Sequence, residues 1–211
     1  MDKSVNNSEQ ARESALCSMD PSRPLEPWPV LGSQVVGDYK IFTLKSTRKR
    51  SPRTGAEVTY YALDTVDWVN IVALTPEHEV VMVEQFRHGT NTVELELPGG
   101  MMDRGESDPV AAACRELREE TGYEGENARR IGCCFANPAI LTNRAHTVLV
   151  ERCIRKHELE WDSGEDIRLR LVPAAQIPAL VAEGKIRHSI IVAALYYYDL
   201  WKKQPPHAAN H

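Results

Sequence analysis

Glu116, Glu119 and Glu120 lie within five positions of one another, preceded by Arg115 and followed by Gly122 and Tyr123. In a helix, Glu116 and Glu120 stand one turn apart, about 6 Å along the axis, so their carboxylates converge on a hard divalent cation with Glu119 alongside. Like charges at this spacing repel, and a bound cation removes that cost. The plain alternative is a solvated acidic face crossed by ion pairs to Arg115 and Arg118. The surroundings favour the cation site. Gly99, Gly100 and the distant Glu106 complete the string G-x5-E-x8-R-E-L-R-E-E-T-G-Y from Gly100 to Tyr123.

Such a cluster needs a helix, a strand to deliver it and a sheet beneath. The helix is well specified: Ser107 or Asp108 caps it, Pro109 suits its first position and Gly122 stands just past its end, giving bounds near 109 and 121. Val110, Ala113, Cys114 and Leu117 form its apolar stripe, and the three glutamates share one flank. Just upstream, Val93-Glu94-Leu95-Glu96-Leu97 alternates with period two. It predicts a strand burying Val93, Leu95 and Leu97 with both glutamates on the other face, stopped by Pro98-Gly99-Gly100.

Trp68–Leu74 and Glu79–Phe86 are apolar runs joined by a turn at Thr75-Pro76-Glu77-His78, the pattern of central strands. Earlier, Val35–Leu44 and Glu57–Leu63 flank the basic, turn-prone segment Arg48–Gly55, which predicts a long-looped hairpin in a small N-terminal sheet. Later β-rich runs fall near Arg130–Ala136, Ala145–Cys153 and Ile167–Val172. Helical patterns follow at Ala174–Glu183 and Ser189–Lys202. Strands flanked by helices imply an α/β or α+β sandwich. The expected divisions are a flexible, proline-rich tail at 1–27, an N-terminal β region at 28–66, the main domain at 67–203 and a frayed end at 204–211.

With 211 residues, 42% hydrophobic and 26% charged, the chain has the composition of an ordinary globular protein. A formal charge of -5 gives no reason to expect nucleic acid or an anionic membrane as partner. A small anionic substrate then needs a locally positive site or a metal. No apolar run is long enough to span a membrane and no signal peptide is visible, so a cytoplasmic protein is expected. Five cysteines, Cys17, Cys114, Cys133, Cys134 and Cys153, show no C-x-x-C pair and read as reduced thiols, mostly in apolar surroundings.

The string from Gly100 to Tyr123 resembles the Nudix box, G-x5-E-x7-R-E-U-x-E-E-x-G-U with U a bulky apolar residue, the signature of hydrolases acting on a nucleoside diphosphate linked to another moiety. One departure stands out: eight residues, Ser107 to Cys114, separate Glu106 from Arg115. The extra residue is expected to enlarge the turn around Ser107-Asp108 and to leave the helix in register. The resemblance runs roughly from Val35 to Trp201 and implies an α/β/α sandwich around a mixed sheet. It also implies Mg2+, with Mn2+ as a substitute: carboxylate-held cations neutralise a pyrophosphate and lower the pKa of a bound water. By the same resemblance Glu116, Glu120 and the Gly99 carbonyl are metal ligands and Glu119 joins the catalytic set. Arg115 either orients a box glutamate or makes an ordinary helix ion pair.

Within the family, Pro138, sixteen positions after Gly122, resembles the proline of ADP-ribose pyrophosphatases and related nucleotide-sugar hydrolases. Val83-Glu84-Gln85-Phe86-Arg87 and the Glu94–Gly100 run resemble the same subgroup, in which the arginine contacts substrate phosphate and a strand glutamate faces the site. That implies Arg87, Glu96 and Pro138 as substrate-binding residues. Gly164-Glu165-Asp166-Ile167 resembles the acidic loop that supplies a metal ligand or base, which implies Glu165, with Glu160 and Asp162 as rivals. Asn143 stands where some ADP-ribose enzymes carry glutamate. The subgroup usually forms homodimers through N-terminal sheets, so Trp28, Tyr39, Tyr60 and the Arg48–Arg53 loop are candidates for gripping base and phosphates. His146 and His188 show no ligand spacing and read as structural. The expected function is cleavage of ADP-ribose or another nucleoside diphosphate sugar to a nucleoside monophosphate and a sugar phosphate. The alternatives are a nucleoside triphosphate or capped RNA as substrate, or a non-catalytic nucleotide-sugar sensor.

Overall fold

The computed structural model describes residues 24–159 and 166–204. The expectations for residues 1–23, Glu160, Asp162, Glu165 and the C-terminal end therefore lie outside the described residues. The chain forms two compact units, one ending at Leu63 and one beginning at Asp64.

The first unit holds a three-stranded sheet, β1 (Val30–Asp38), β2 (Thr43–Arg50) and β3 (Glu57–Asp64), with β2 central. Val35–Leu44 is thus not one strand. The chain turns at Tyr39–Phe42, where Tyr39 N–H donates to the Phe42 carbonyl and Lys40 adopts φ 61°. β1 instead starts five residues earlier and pairs antiparallel with β2 from Val30↔Lys49 to Asp38↔Thr43. Arg48–Arg50 belong to β2 rather than to a loop, because a short turn over Ser51–Ala56 already closes the hairpin (Ser51 N to Ala56 O, 2.9 Å). Arg50 Nη2 donates to Glu57 Oε1 across it at 2.8 Å.

The second unit is built on a mixed sheet: β4 (Trp68–Leu74), β5 (Glu79–Arg87), β6 (Thr92–Glu96), β7 (Tyr123–Phe135), β8 (Arg144–Arg155) and β9 (Ile167–Pro173). The strand order is β6-β5-β4-β8-β7, with β9 also on β5; β4 and β8 run parallel and the other pairs antiparallel. Alternation along β4 divides the core in two. Val72 and Leu74 face one layer with Leu149, Ile190, Ile191 and Leu195. Val69, Ile71 and Ala73 face the other with Ala112, Ala113 and Leu117. Helix α1 (Pro109–Thr121) covers the second layer. The first lies under α2 (Ile177–Ala182) and α3 (Ser189–Lys202), giving an α/β/α arrangement. The pattern at 174–183 resolves into a 3-10 turn, Ala174–Gln176, followed by the shorter α2, since Pro178 fits the first turn of a helix and not its interior.

Asp108, not Ser107, caps α1: its Oδ1 accepts from Val110 N–H at 2.8 Å. At the other end Gly122 takes φ 72° and donates to the Arg118 carbonyl; a Cβ there would lie 2.4 Å from the His157 carbonyl oxygen. The buried face of α1 comprises Ala112, Ala113, Leu117, Glu120 and Thr121, so Cys114 falls outside it and is exposed. Of the described cysteines only Cys153 is buried, and its thiol is pushed up to about 12 by burial. The alternation of β6 is also corrected. Val93 is exposed, whereas Glu94 and Glu96 are buried, because the segment Arg187–Ser189 entering α3 covers the glutamate face.

Candidate active site

Turn 98–102 runs beside β4: Val69 N–H donates to the Gly100 carbonyl, and Ile71 N–H to that of Pro98, both at 2.9 Å. This close approach requires glycine at position 99. A Cβ on Gly99 would sit 2.1 Å from the Val69 carbonyl oxygen, and one on Gly100 would sit 2.6 Å from Glu116 Oε2. Gly99 N–H in turn donates to Glu120 Oε2 at 2.9 Å, which satisfies a carboxylate that is almost wholly buried. The two glycines thus bring strand and helix together where the acidic residues lie.

Arg115 organises the other carboxylates. Its Nη1 donates to Glu116 Oε1 at 2.9 Å and to Glu119 Oε2 at 3.0 Å, while Nη2 lies 3.5 Å from Glu106 Oε2. Burial disfavours the guanidinium charge, but Glu116 and Glu119 outweigh it and raise the Arg115 pKa. Glu106 also accepts from Asp103 N–H at 3.0 Å. Glu106, ahead of the helix, thus reaches the cluster through Arg115.

Four glutamates and nearby backbone carbonyls are hard oxygen donors, the chemistry that divalent magnesium or manganese takes. Among the described residues, no three His, Cys, Asp or Glu side chains already converge on one metal position. Arg115 holds one oxygen each of Glu116 and Glu119, and Gly99 holds one of Glu120, which orients carboxylates that each carry a second oxygen.

Beyond the glycines, a cavity of about 280 Å³ is lined by Trp68, Asn70, Arg87, Glu96, Gly99 and His188, among others. Glu96 is fully buried and accepts three charge-assisted hydrogen bonds: Arg87 Nε at 3.0 Å, Arg87 Nη2 at 2.9 Å and His188 Nδ1 at 2.9 Å. Burial alone would raise its carboxyl, but the bonds and charges of His188 and Arg87 overcome that and hold it at about 2. A second cavity of about 730 Å³ shares Arg87, Glu96 and His188 and adds Glu94 and Arg187. Arg187 grips Glu94 through Nε at 2.9 Å and Nη2 at 2.8 Å, which with the Thr92 hydroxyl lowers the Glu94 pKa.

Of the residues singled out from the sequence, Arg87, Glu96 and Gly99 thus share one cavity, and Glu116 and Glu120 meet its glycines. Pro138 does not join them: it is exposed in the turn between β7 and β8 and lines neither cavity. Glu165 lies outside the described residues. The sequence reading missed His188, Trp68 and Asn70. His188 stands 92 positions from Glu96, and no local pattern announces the pairing. Asn70, a polar residue inside an apolar strand, was the available signal. His146 does pair structurally, with Asp67 at 2.9 Å. Trp28 and Tyr60 meet edge to face at 5.6 Å in the first unit.

Residues 64–195 match the NUDIX domain. The chain belongs to the Nudix family. An ADP-ribose pyrophosphatase of Bacillus subtilis is 29% identical over 133 residues, 63% of this chain and 71% of that one. An ADP-sugar pyrophosphatase of Mus musculus is 41% identical over 145 residues, 65% of this chain and 66% of that one. A crystal structure of an ADP compounds hydrolase shares the fold, with a TM-score of 0.76, 24% identity and coverage of 86% of this chain and 97% of its own. Within that family the chain is a Nudix hydrolase, a class of enzyme that uses divalent cations.

Proposed function

We propose that this enzyme hydrolyses ADP-ribose or a related nucleoside diphosphate sugar, with Mg2+, to a nucleoside monophosphate and a sugar phosphate. The observation that carries this is the continuity of the site: one cavity joins Arg87 and Glu96 to Gly99 and Gly100, and these glycines meet Glu120 and Glu116. A phosphate-binding arginine therefore stands next to the hard-oxygen cluster, as cleavage of a diphosphate beside a neutral group requires. The names of the relatives agree with this substrate class.

In this reading Glu116, Glu120, the Gly99 carbonyl and Glu165 hold the metal, and Glu119 completes the carboxylate set. The cation supplies charge neutralisation and an acidified water. Arg115 fixes the orientation of Glu116 and Glu119, and Arg87, itself aligned by Glu96, binds a substrate phosphate. Pro138, which lines neither cavity, has no part in this reading. Water attacks one phosphorus, the bridging P–O bond breaks, and the proton passes to Glu165 or to a box glutamate. The enzyme is a cytoplasmic homodimer in this reading, and the exposed apolar residues Val35, Val36, Tyr39, Ile41 and Tyr61 of the first unit offer a surface for the second copy.

The test is chromatographic separation of the nucleotide products from ADP-ribose, GDP-mannose, UDP-glucose and nucleoside triphosphates, with Mg2+, Mn2+ or chelator. Cation-dependent turnover of a nucleoside diphosphate sugar, lost in Glu120→Gln with the fold intact, is expected. Preferential turnover of triphosphates would overturn the substrate reading, and full activity in chelator would overturn the metal assignment.

A further inference from the structure

Two residues of β4 are unusual for a central strand. Trp68 and Asn70 lie two positions apart and so share a face with Val72 and Leu74, which are core residues. Trp68 Nε1 and Asn70 Nδ2 are both buried, and neither has a hydrogen-bond partner. Asn70 is only 4% exposed. An unpaired buried N–H is costly, and an apolar residue in its place would remove the cost. The face is apolar where it packs under α3 and becomes polar only where it borders the 280 Å³ cavity. Both residues line that cavity, with their unmet N–H groups closed off from solvent.

The other polar groups of the cavity narrow what would satisfy them. Glu96 already accepts from Arg87 and His188, so it is no acceptor for Trp68 or Asn70. A ligand must bring its own oxygens. Neither donor carries a charge, and the cation cluster and Arg87 already meet the needs of a diphosphate. Two neutral donors fit the hydroxyl and ring oxygens of a neutral group, and the amide of Asn70 can accept from a hydroxyl as well as donate to it. At about 280 Å³ the cavity has room for a small neutral group. It begins at Gly99 and Gly100, beside the carboxylates, so its occupant adjoins the diphosphate.

The structure assigns Trp68 and Asn70 as the residues that recognise the sugar on the far side of the diphosphate from the nucleoside. The assignment rests on the nucleotide-sugar reading above and specifies which part of the substrate the cavity holds. It makes both residues determinants of specificity, with no role in the chemical step.

The experiment compares wild type, Trp68→Phe and Asn70→Leu on two substrates: the nucleoside diphosphate sugar that the panel identifies, and the methyl ester of the same nucleoside diphosphate, which keeps the scissile diphosphate and lacks the sugar. Melting temperatures of the ligand-free proteins are measured in parallel. Each variant is expected to lose about 10- to 100-fold in kcat/KM on the sugar substrate. On the methyl ester the loss stays below about 3-fold. The ligand-free melting temperature of Asn70→Leu is unchanged or raised, because the substitution deletes an unpaired buried donor, and that of Trp68→Phe falls only by the cost of trimming a ring packed on the core. Equal losses on both substrates overturn the assignment, as does a lowered melting temperature that accounts for the lost activity. Wild-type cleavage of the methyl ester with none of any nucleotide sugar would instead sink the proposed function, and the sugar assignment with it.

Discussion

Glu96→Gln removes the fully buried carboxylate that Arg87 and His188 grip. Glutamine matches the volume of glutamate but removes the charge on which Arg87 and His188 converge, and it turns an amide N–H₂ toward at least one of these donors. The carboxyl is lowered from 4.5 to about 2, which corresponds to about 3 kcal/mol of stability at neutral pH. Removing one partner of a buried pair costs about 3–5 kcal/mol. The lower end applies, because the Arg87 and His188 side chains are 40% and 33% exposed and regain water. The folded pKa is the depressed one, so this stability is complete above 4.5 and lost as pH falls toward 2. Wild type should retain only about 1.4 kcal/mol of it at pH 3. Urea unfolding of both proteins at pH 7 and pH 3 is the assay, and the gap between them should shrink by more than half at the lower pH. A difference below about 1 kcal/mol at pH 7, or one that persists unchanged at pH 3, would refute the charge-pair account.

The two turn glycines should separate stability from activity. A methyl group on Gly99 meets the Val69 backbone, so Gly99→Ala should cost about 1–3 kcal/mol in unfolding experiments. Gly100→Ala meets only the movable carboxylate end of Glu116 and should lower turnover at least about 10-fold while costing little stability. Asp108→Ala removes the acceptor of the Val110 N–H and should destabilise by about 1 kcal/mol in the same assay. Glu165→Gln should reduce kcat by about 10²-fold with little change in KM in steady-state kinetics; a change in KM alone would argue against a role in the chemical step.

Much of the site was legible in the chain because it is local. Asp108, Pro109 and Gly122 mark the ends of α1 through backbone chemistry that operates within a few residues, and the four-residue spacing of Glu116 and Glu120 places them on one flank wherever the helix packs. The Nudix box is readable for the same reason. Tertiary structure decided what depends on distant partners. Alternation in 93–97 separated the two faces of β6 but could not say that both would be covered: the segment entering α3 supplies Arg187 and His188, so Glu94 and Glu96 are buried while Val93, at the exposed end of the strand, is not. Cys114 completes an apolar spacing, yet the helix rotates to bury Glu120 instead, because the Gly99 N–H meets that carboxylate and removes the penalty of burying it. Asn70 interrupts an apolar strand, a signal visible in the chain, but its partner Trp68 carries no such mark. Only folding, which sets the turn at Gly99–Gly100 and the start of α3 around them, puts both residues in the wall of a cavity with their N–H groups unpaired.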